Sequence, residues 1–224
     1  VKATLQTDQK SCLPMGALRG RSDSRSPEGA AMPEIRSVAV FCGSRVGSSP
    51  AYAAAALALG ESLAKSGIRL IYGGGRIGLM GALADGALGA GGKVIGVIPD
   101  FLQRFEVAHS GCSELIITDT MHTRKRRMFD LADAFVTMPG GLGTFDETFE
   151  ILTWRQLKLH DKPILICDID GSAKALLNLL EDSILDGFAP AEARALYETV
   201  GGVVELMERL TRIEAVSGGA SALL

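Results

Sequence analysis

The residues best suited to chemistry in this chain lie in two glycine-dense turns and the polar side chains beside them. Pro139-Gly140-Gly141-Leu142-Gly143-Thr144 follows an apolar run and opens a stretch of helical periodicity. Glycines let the backbone approach a ligand closely, and free N–H groups at a helix start are anion donors. The Thr144 hydroxyl adds a further donor. This is a phosphate cradle, although not a P-loop, because no lysine follows the last glycine. Just beyond it come Asp146, Glu147 and Glu150. Spacing alone leaves two readings of Glu147 open. Thr144-x-x-Glu147 matches a capping box, in which the carboxylate only reaches back to the helix start. Alternatively it is a functional carboxylate. Glu147, Glu150, Ile151 and Trp154 share one helical face, and burying two carboxylates beside a large aromatic is costly without a task, which favours the second reading.

The other turn, Gly73-Gly74-Gly75-Arg76-Ile77-Gly78, fits G-x-G-x-x-G and would suggest a dinucleotide site. Two features count against NAD. The motif follows the second strand of the pattern, and the acidic residue after the third, Asp100, lies beyond Pro99 instead of at the strand tip. Glycines kept for close helix–sheet packing are the competing explanation. A third feature is the basic run Arg124-Lys125-Arg126-Arg127. Such a run is usually a solvated face and is too short for a nucleic-acid patch, but here it follows a strand at the end where a phosphate would sit.

Positioning these groups requires a particular frame. Short apolar runs at 37–42, 68–72, 93–98, 114–118, 134–138 and 163–167 alternate with helical patterns at 50–66, 78–89, 123–132, 144–159 and 173–185. A weak strand near 196–200 and a helix over 203–215 complete the series. Continuously apolar strands separated by helices imply a parallel sheet covered on both faces. Right-handed crossovers then make it a Rossmann-like, doubly wound α/β domain, with ligands expected beyond the carboxyl ends of the strands. Residues 1–31 lack apolar periodicity and read as a poorly ordered extension, with Met32 a candidate start of a domain over 32–216. The last residues, 217–224, read as a flexible tail.

Composition narrows the function classes. The formal net charge of −3 argues against a nucleic-acid partner. No run of 18 apolar residues suggests a membrane span. Cys12, Cys42, Cys112 and Cys167 are widely spaced, and the three histidines lack ligand spacing, so neither a disulfide framework nor a metal is expected. That cysteine usage suits a reducing, cytoplasmic location.

Taken jointly, the motifs carry a family resemblance. Met121-His122-Thr123-Arg124-Lys125 followed by Pro139-Gly140-Gly141-Leu142-Gly143-Thr144-Phe145-Asp146-Glu147 resembles the two signatures of the LONELY GUY (LOG) family. These are cytokinin riboside 5′-monophosphate phosphoribohydrolases, long mislabelled lysine decarboxylases. The resemblance spans 38–187. It includes Phe41-Cys42-Gly43-Ser44, Tyr72-Gly73-Gly74-Gly75, Gly78-Leu79-Met80-Gly81, Ala132-Asp133-Ala134-Phe135 and Thr153-Trp154-Arg155-Gln156-Leu157.

The resemblance implies hydrolysis of the N-glycosidic bond of an adenine-type nucleoside monophosphate, giving free base and ribose 5-phosphate without a cofactor. It implies Arg124 and Glu147 as the catalytic pair. Gly140, Gly141, Leu142, Gly143 and Thr144 would hold the phosphate. Ser44, Gly74, Gly75, Glu106, Lys125, Asp146 and Thr153 would line the site. A homodimer is implied as well. Thr123 and Asp146 depart from the family pattern, each standing where Glu is common. Two competitors remain. A true lysine decarboxylase would need PLP on a Schiff-base lysine, and Lys65, Lys93, Lys125, Lys158, Lys162 and Lys174 show no such setting. A non-catalytic nucleotide or cofactor carrier would keep the phosphate turn without releasing base. The preference between plain adenine and a prenylated adenine is not legible.

Overall fold

The computed structural model describes residues 35–103 and 107–212. The expected extension over 1–31, the tail from 217 and Glu106 lie outside the described residues. Seven strands form one parallel sheet: β1 (Ser37–Phe41), β2 (Arg69–Tyr72), β3 (Val94–Pro99), β4 (Glu114–Thr118), β5 (Ala134–Thr137), β6 (Ile164–Cys167) and β7 (Glu198–Val200), in the order β4-β3-β2-β1-β5-β6-β7. Six α-helices are described: α1 (Pro50–Lys65), α2 (Gly78–Gly89), α3 (Met121–Leu131), α4 (Leu142–Gln156), α5 (Lys174–Leu185) and α6 (Val203–Arg212). The doubly wound architecture expected from the pattern is present. Two 3-10 turns, Asp100–Leu102 and Ala191–Leu196, are too short to leave a periodic trace.

Every residue of β1, β3, β5 and β6 is buried, whereas β4 at one edge is largely uncovered and β7 at the other has three residues. This is why the central strands read as unbroken apolar runs. One core layer joins Val38, Val40, Leu70 and Tyr72 to α1, α2 and α6. On the opposite face Ala39, Phe41, Phe135 and Ile164 pack against Met128, Phe129, Ile151 and Leu152 of α3 and α4. Cys42 and Cys167 are buried and Cys112 is half-buried against the Tyr72 hydroxyl at 3.3 Å. Burial pushes the Cys167 thiol up to about 12 and raises that of Cys112, so both behave as small core residues.

The strand order reverses between β1 and β5, which pair directly with Phe41 opposite Thr137. Their following connections leave to opposite faces and open a crevice at the carboxyl ends, the usual place for a ligand in such sheets.

Behind the crevice α1 and α2 cross with backbones nearly in contact. A Cβ on Gly60 would lie 2.1 Å from the Leu83 carbonyl oxygen and 2.7 Å from the Ala87 nitrogen. Gly60→Ala gains about 1 kcal/mol of helix propensity, yet a backbone clash cannot be relieved by a rotamer change. Overpacking at the upper part of its usual range, about 1–3 kcal/mol, outweighs that gain. A melting point lowered by about 2–6 °C is expected in thermal denaturation. An unchanged or raised melting point would show that the two helices can separate freely.

Candidate active site

The two glycine turns differ in what their helices do with their free N–H groups. At the start of α2, Leu79 N and Met80 N donate to the Gly43 carbonyl at 3.0 and 3.3 Å. Those donors are therefore spent on linking the turn after β2 to the turn after β1. The start of α4 is different. Its N-cap is Gly141, no side chain among the described residues caps it, and no acidic residue lies in its first turn. The first N–H bonded back along the helix is that of Phe145, to the Gly141 carbonyl at 3.0 Å. The N–H groups of Leu142, Gly143 and Thr144 precede it and point out of the helix end, where the dipole favours an anion.

This register removes one reading of Glu147. The helix begins at Leu142, two residues earlier than the spacing suggested, because glycine can occupy the cap position without a side chain. Thr144 is then the third helical residue, not the cap, so Thr144 and Glu147 do not form a capping box. A capping box does occur at the start of α3. Thr123 N donates to Thr120 Oγ1 and Thr120 N to Thr123 Oγ1, both at 3.1 Å. The basic run accordingly lies inside α3, as the helical pattern over 123–132 implied.

The crevice holds about 510 Å³ of space open to solvent. It is lined by Gly43 and Ser44 from the first turn, Gly73 from the second, Gly141, Leu142, Gly143 and Thr144 from the third, and by Arg124 and Glu147. Arg124 is 5% exposed and Glu147 8%. The guanidinium is anchored by Nε donating to the Val97 carbonyl and Nη2 to the Gly73 carbonyl, both at 3.1 Å. Its position thus depends on β3 and on the turn after β2. Glu147 also borders a narrow recess with Glu150, Ile151, Trp154, Phe41, Phe129, Phe135 and Lys125. The shared helical face inferred from spacing is therefore real, and Glu147 stands where the polar crevice meets an aromatic wall.

Lys125 is committed elsewhere. Its ammonium contacts Asp146 and Glu150, each at 3.1 Å, tying α3 to α4. Burial opposes its charge, but the hydrogen bonds it donates to both carboxylates prevail and hold its pKa above the ordinary lysine value. Arg126 pairs with Asp130. Two of the four members of the basic run are thus neutralised locally, and Arg124 is its one member lining the crevice.

Residues 80–210 match the family model described as possible lysine decarboxylase. A cytokinin riboside 5′-monophosphate phosphoribohydrolase of Rhodococcoides fascians is 44% identical over 166 residues, covering 74% of this chain and 84% of the relative. One from Arabidopsis thaliana is 38% identical, covering 79% and 83% respectively. The chain belongs to the LOG family. Solved structures share the fold at lower identity. They include the molybdenum cofactor binding protein of Rippkaea orientalis (TM-score 0.59, 21% identity, 78% of this chain and 94% of that one) and the molybdenum cofactor carrier protein of Chlamydomonas reinhardtii (0.59, 20%, 79% and 96%).

The two departures from the LOG pattern have structural roles. Thr123 closes the capping box of α3 and so fixes the helix end that carries Arg124. Asp146, half-exposed, is one of the two anchors of Lys125. Among the other expected site residues, Gly140 adjoins the Thr144 side chain. Gly74 and Gly75 are turned toward another segment: the Gly74 carbonyl accepts from His109 N, and Gly75 bridges Ala108. Neither lines the crevice, whereas Gly73, the first glycine of the same turn and not among the expected site residues, does. Thr153 is exposed on α4 and also stands outside it.

Proposed function

We propose that this LOG-family chain hydrolyses the N-glycosidic bond of adenine-type nucleoside 5′-monophosphates, releasing free base and ribose 5-phosphate. The observation that carries the reading is the uncapped start of α4 facing a crevice that also contains Arg124 and Glu147. The N–H groups of Leu142–Thr144 and the Thr144 hydroxyl hold the 5′-phosphate. As the base departs, positive charge builds on the ribose, and Glu147 stabilises that charge and orients the attacking water. Arg124 orients the substrate and helps the leaving base carry its electrons. The names of the curated relatives support cytokinin riboside 5′-monophosphate as a substrate. A homodimer in the cytoplasm is expected from the resemblance and the cysteine usage. No helix among the described residues is long and apolar enough to cross a membrane.

The test is base release, followed by liquid chromatography, from AMP, isopentenyladenosine monophosphate and adenosine. Release from the monophosphates but not from adenosine is the expected outcome, since adenosine lacks the group that the α4 start holds. The ratio of the two monophosphate rates names the preferred base. AMP binding without release from any substrate would establish a carrier instead.

A further inference from the structure

The start of α4 is held to the sheet by two buried hydroxyls that no step above uses. Thr148, fully buried, donates its hydroxyl proton to the Thr144 carbonyl at 2.7 Å. Thr137, 3% exposed, lies 2.8 Å from the same Thr148 oxygen. A hydroxyl carries one proton, and that of Thr148 is committed to a carbonyl, which can only accept. Thr137 is therefore the donor of the second bond. The order Thr137 to Thr148 to the Thr144 carbonyl follows without ambiguity.

The placement of this relay matters more than its strength. Thr137 is the last residue of β5 and is paired with Phe41 of β1 on one side and Ile166 of β6 on the other. It is thus fixed in the middle of the sheet. Between it and the carbonyl end of the relay lie Met138, Pro139 and the glycines of the phosphate turn. The hydroxyls bracket that turn from behind. They also set which side of α4 faces the strand, and therefore where Glu147, the residue before Thr148, points. The Lys125 contacts with Asp146 and Glu150 hold the α3 side of the same helix, and the two hydroxyls hold its start to β5.

We propose that Thr137 and Thr148 are positioning residues for the reaction, acting through the seating of α4 on Glu147 and the phosphate turn. The inference rests on the hydrolase reading above. Four variants test it: Thr148→Ser, Thr148→Val, Thr137→Val and the double Thr137→Val/Thr148→Val, each assayed for kcat, KM for AMP and melting temperature. Displacing a catalytic group by about 1 Å costs on the order of 10²-fold, so kcat in Thr148→Val is expected to fall about tenfold or more, with a smaller change in KM. Thr148→Ser keeps the relay and should retain kcat within about threefold, even though losing a buried methyl lowers its melting temperature.

The double variant separates positioning from stability. Replacing both members of a buried hydrogen bond with apolar groups of similar shape can be nearly neutral for stability. Its melting temperature should therefore recover relative to Thr148→Val while kcat stays low. Wild-type kcat in Thr148→Val or in the double variant, or activities that simply rank with melting temperature, would overturn the inference. A wild-type chain that releases no base would take down the hydrolase reading and this inference with it. An active wild type with an unaffected Thr148→Val takes down the inference alone.

Discussion

Glu147→Gln is expected to lower kcat for base release from AMP by about 10²–10³-fold, the usual loss when one preorganised charged group is removed from a transition state. Glutamine preserves the shape of the side chain and removes its charge, so the helix and the crevice should persist. Ribose 5-phosphate should still bind within a few-fold of the wild-type affinity, because its donors are the backbone N–H groups of Leu142–Thr144 and the Thr144 hydroxyl, none of which is altered. The stability change argues the same way. Glu147 is 8% exposed and borders a recess walled by Phe41, Phe129, Phe135 and Trp154. The amide is isosteric with the carboxylate, so the packing around it persists and the melting temperature should stay within a few degrees of wild type. Lost activity with unchanged binding and near-wild-type stability is the pattern of a group kept for chemistry. Turnover within a few-fold of wild type would mean that Glu147 serves the fold, and the hydrolytic role would have to move to another residue.

The frame and the phosphate turn were legible because each rests on a local pattern. Buried strands such as β1 and β6 are continuous in apolar residues, and a glycine-rich segment between a strand and a helix announces close backbone approach. The legible part ends where a tertiary contact decides. Glycine at the cap moved the start of α4 from Thr144 to Leu142, and with it the meaning of Thr144-x-x-Glu147. The two glycine turns look alike as text. They diverge because the Gly43 carbonyl occupies the N–H groups of α2, a contact 36 residues apart in the chain. The basic run suggested free positive charge over a phosphate, but Asp146, Glu150 and Asp130 neutralise two of its members. Thr137 and Thr148 gave no signal, since two hydroxyls eleven residues apart on different elements form no motif. Gly73 is the most instructive omission, because what it accommodates is the side chain of Arg124 on another element.

Gly73→Ala should separate the position of the Arg124 guanidinium from its chemistry. A Cβ at this position would lie 2.2 Å from Arg124 Nη2 and 3.4 Å from its Cζ, with Met80 Sδ at 3.0 Å. What must yield is the far end of two flexible side chains, not the backbone, so the fold is expected to accept the methyl with a modest loss of stability. The guanidinium, however, must leave its site and lose its bond to the Gly73 carbonyl. Both the charge and the residue remain; only the placement changes. Since a displacement of about 1 Å at a reacting group costs on the order of 10²-fold, kcat/KM for AMP should fall about 10- to 100-fold, with the melting temperature lowered by only a few degrees. Arg124→Lys, which keeps the charge but loses the planar fork that reaches both Val97 and Gly73, should show a comparable loss. If Gly73→Ala were fully active, the reaction would tolerate a displaced guanidinium, and Arg124 would be acting through charge at a distance. If Gly73→Ala and Arg124→Lys fell together while Glu147→Gln fell further, the roles would be ordered. Glu147 would then act on the bond being broken, and Arg124 would hold the substrate in line with it.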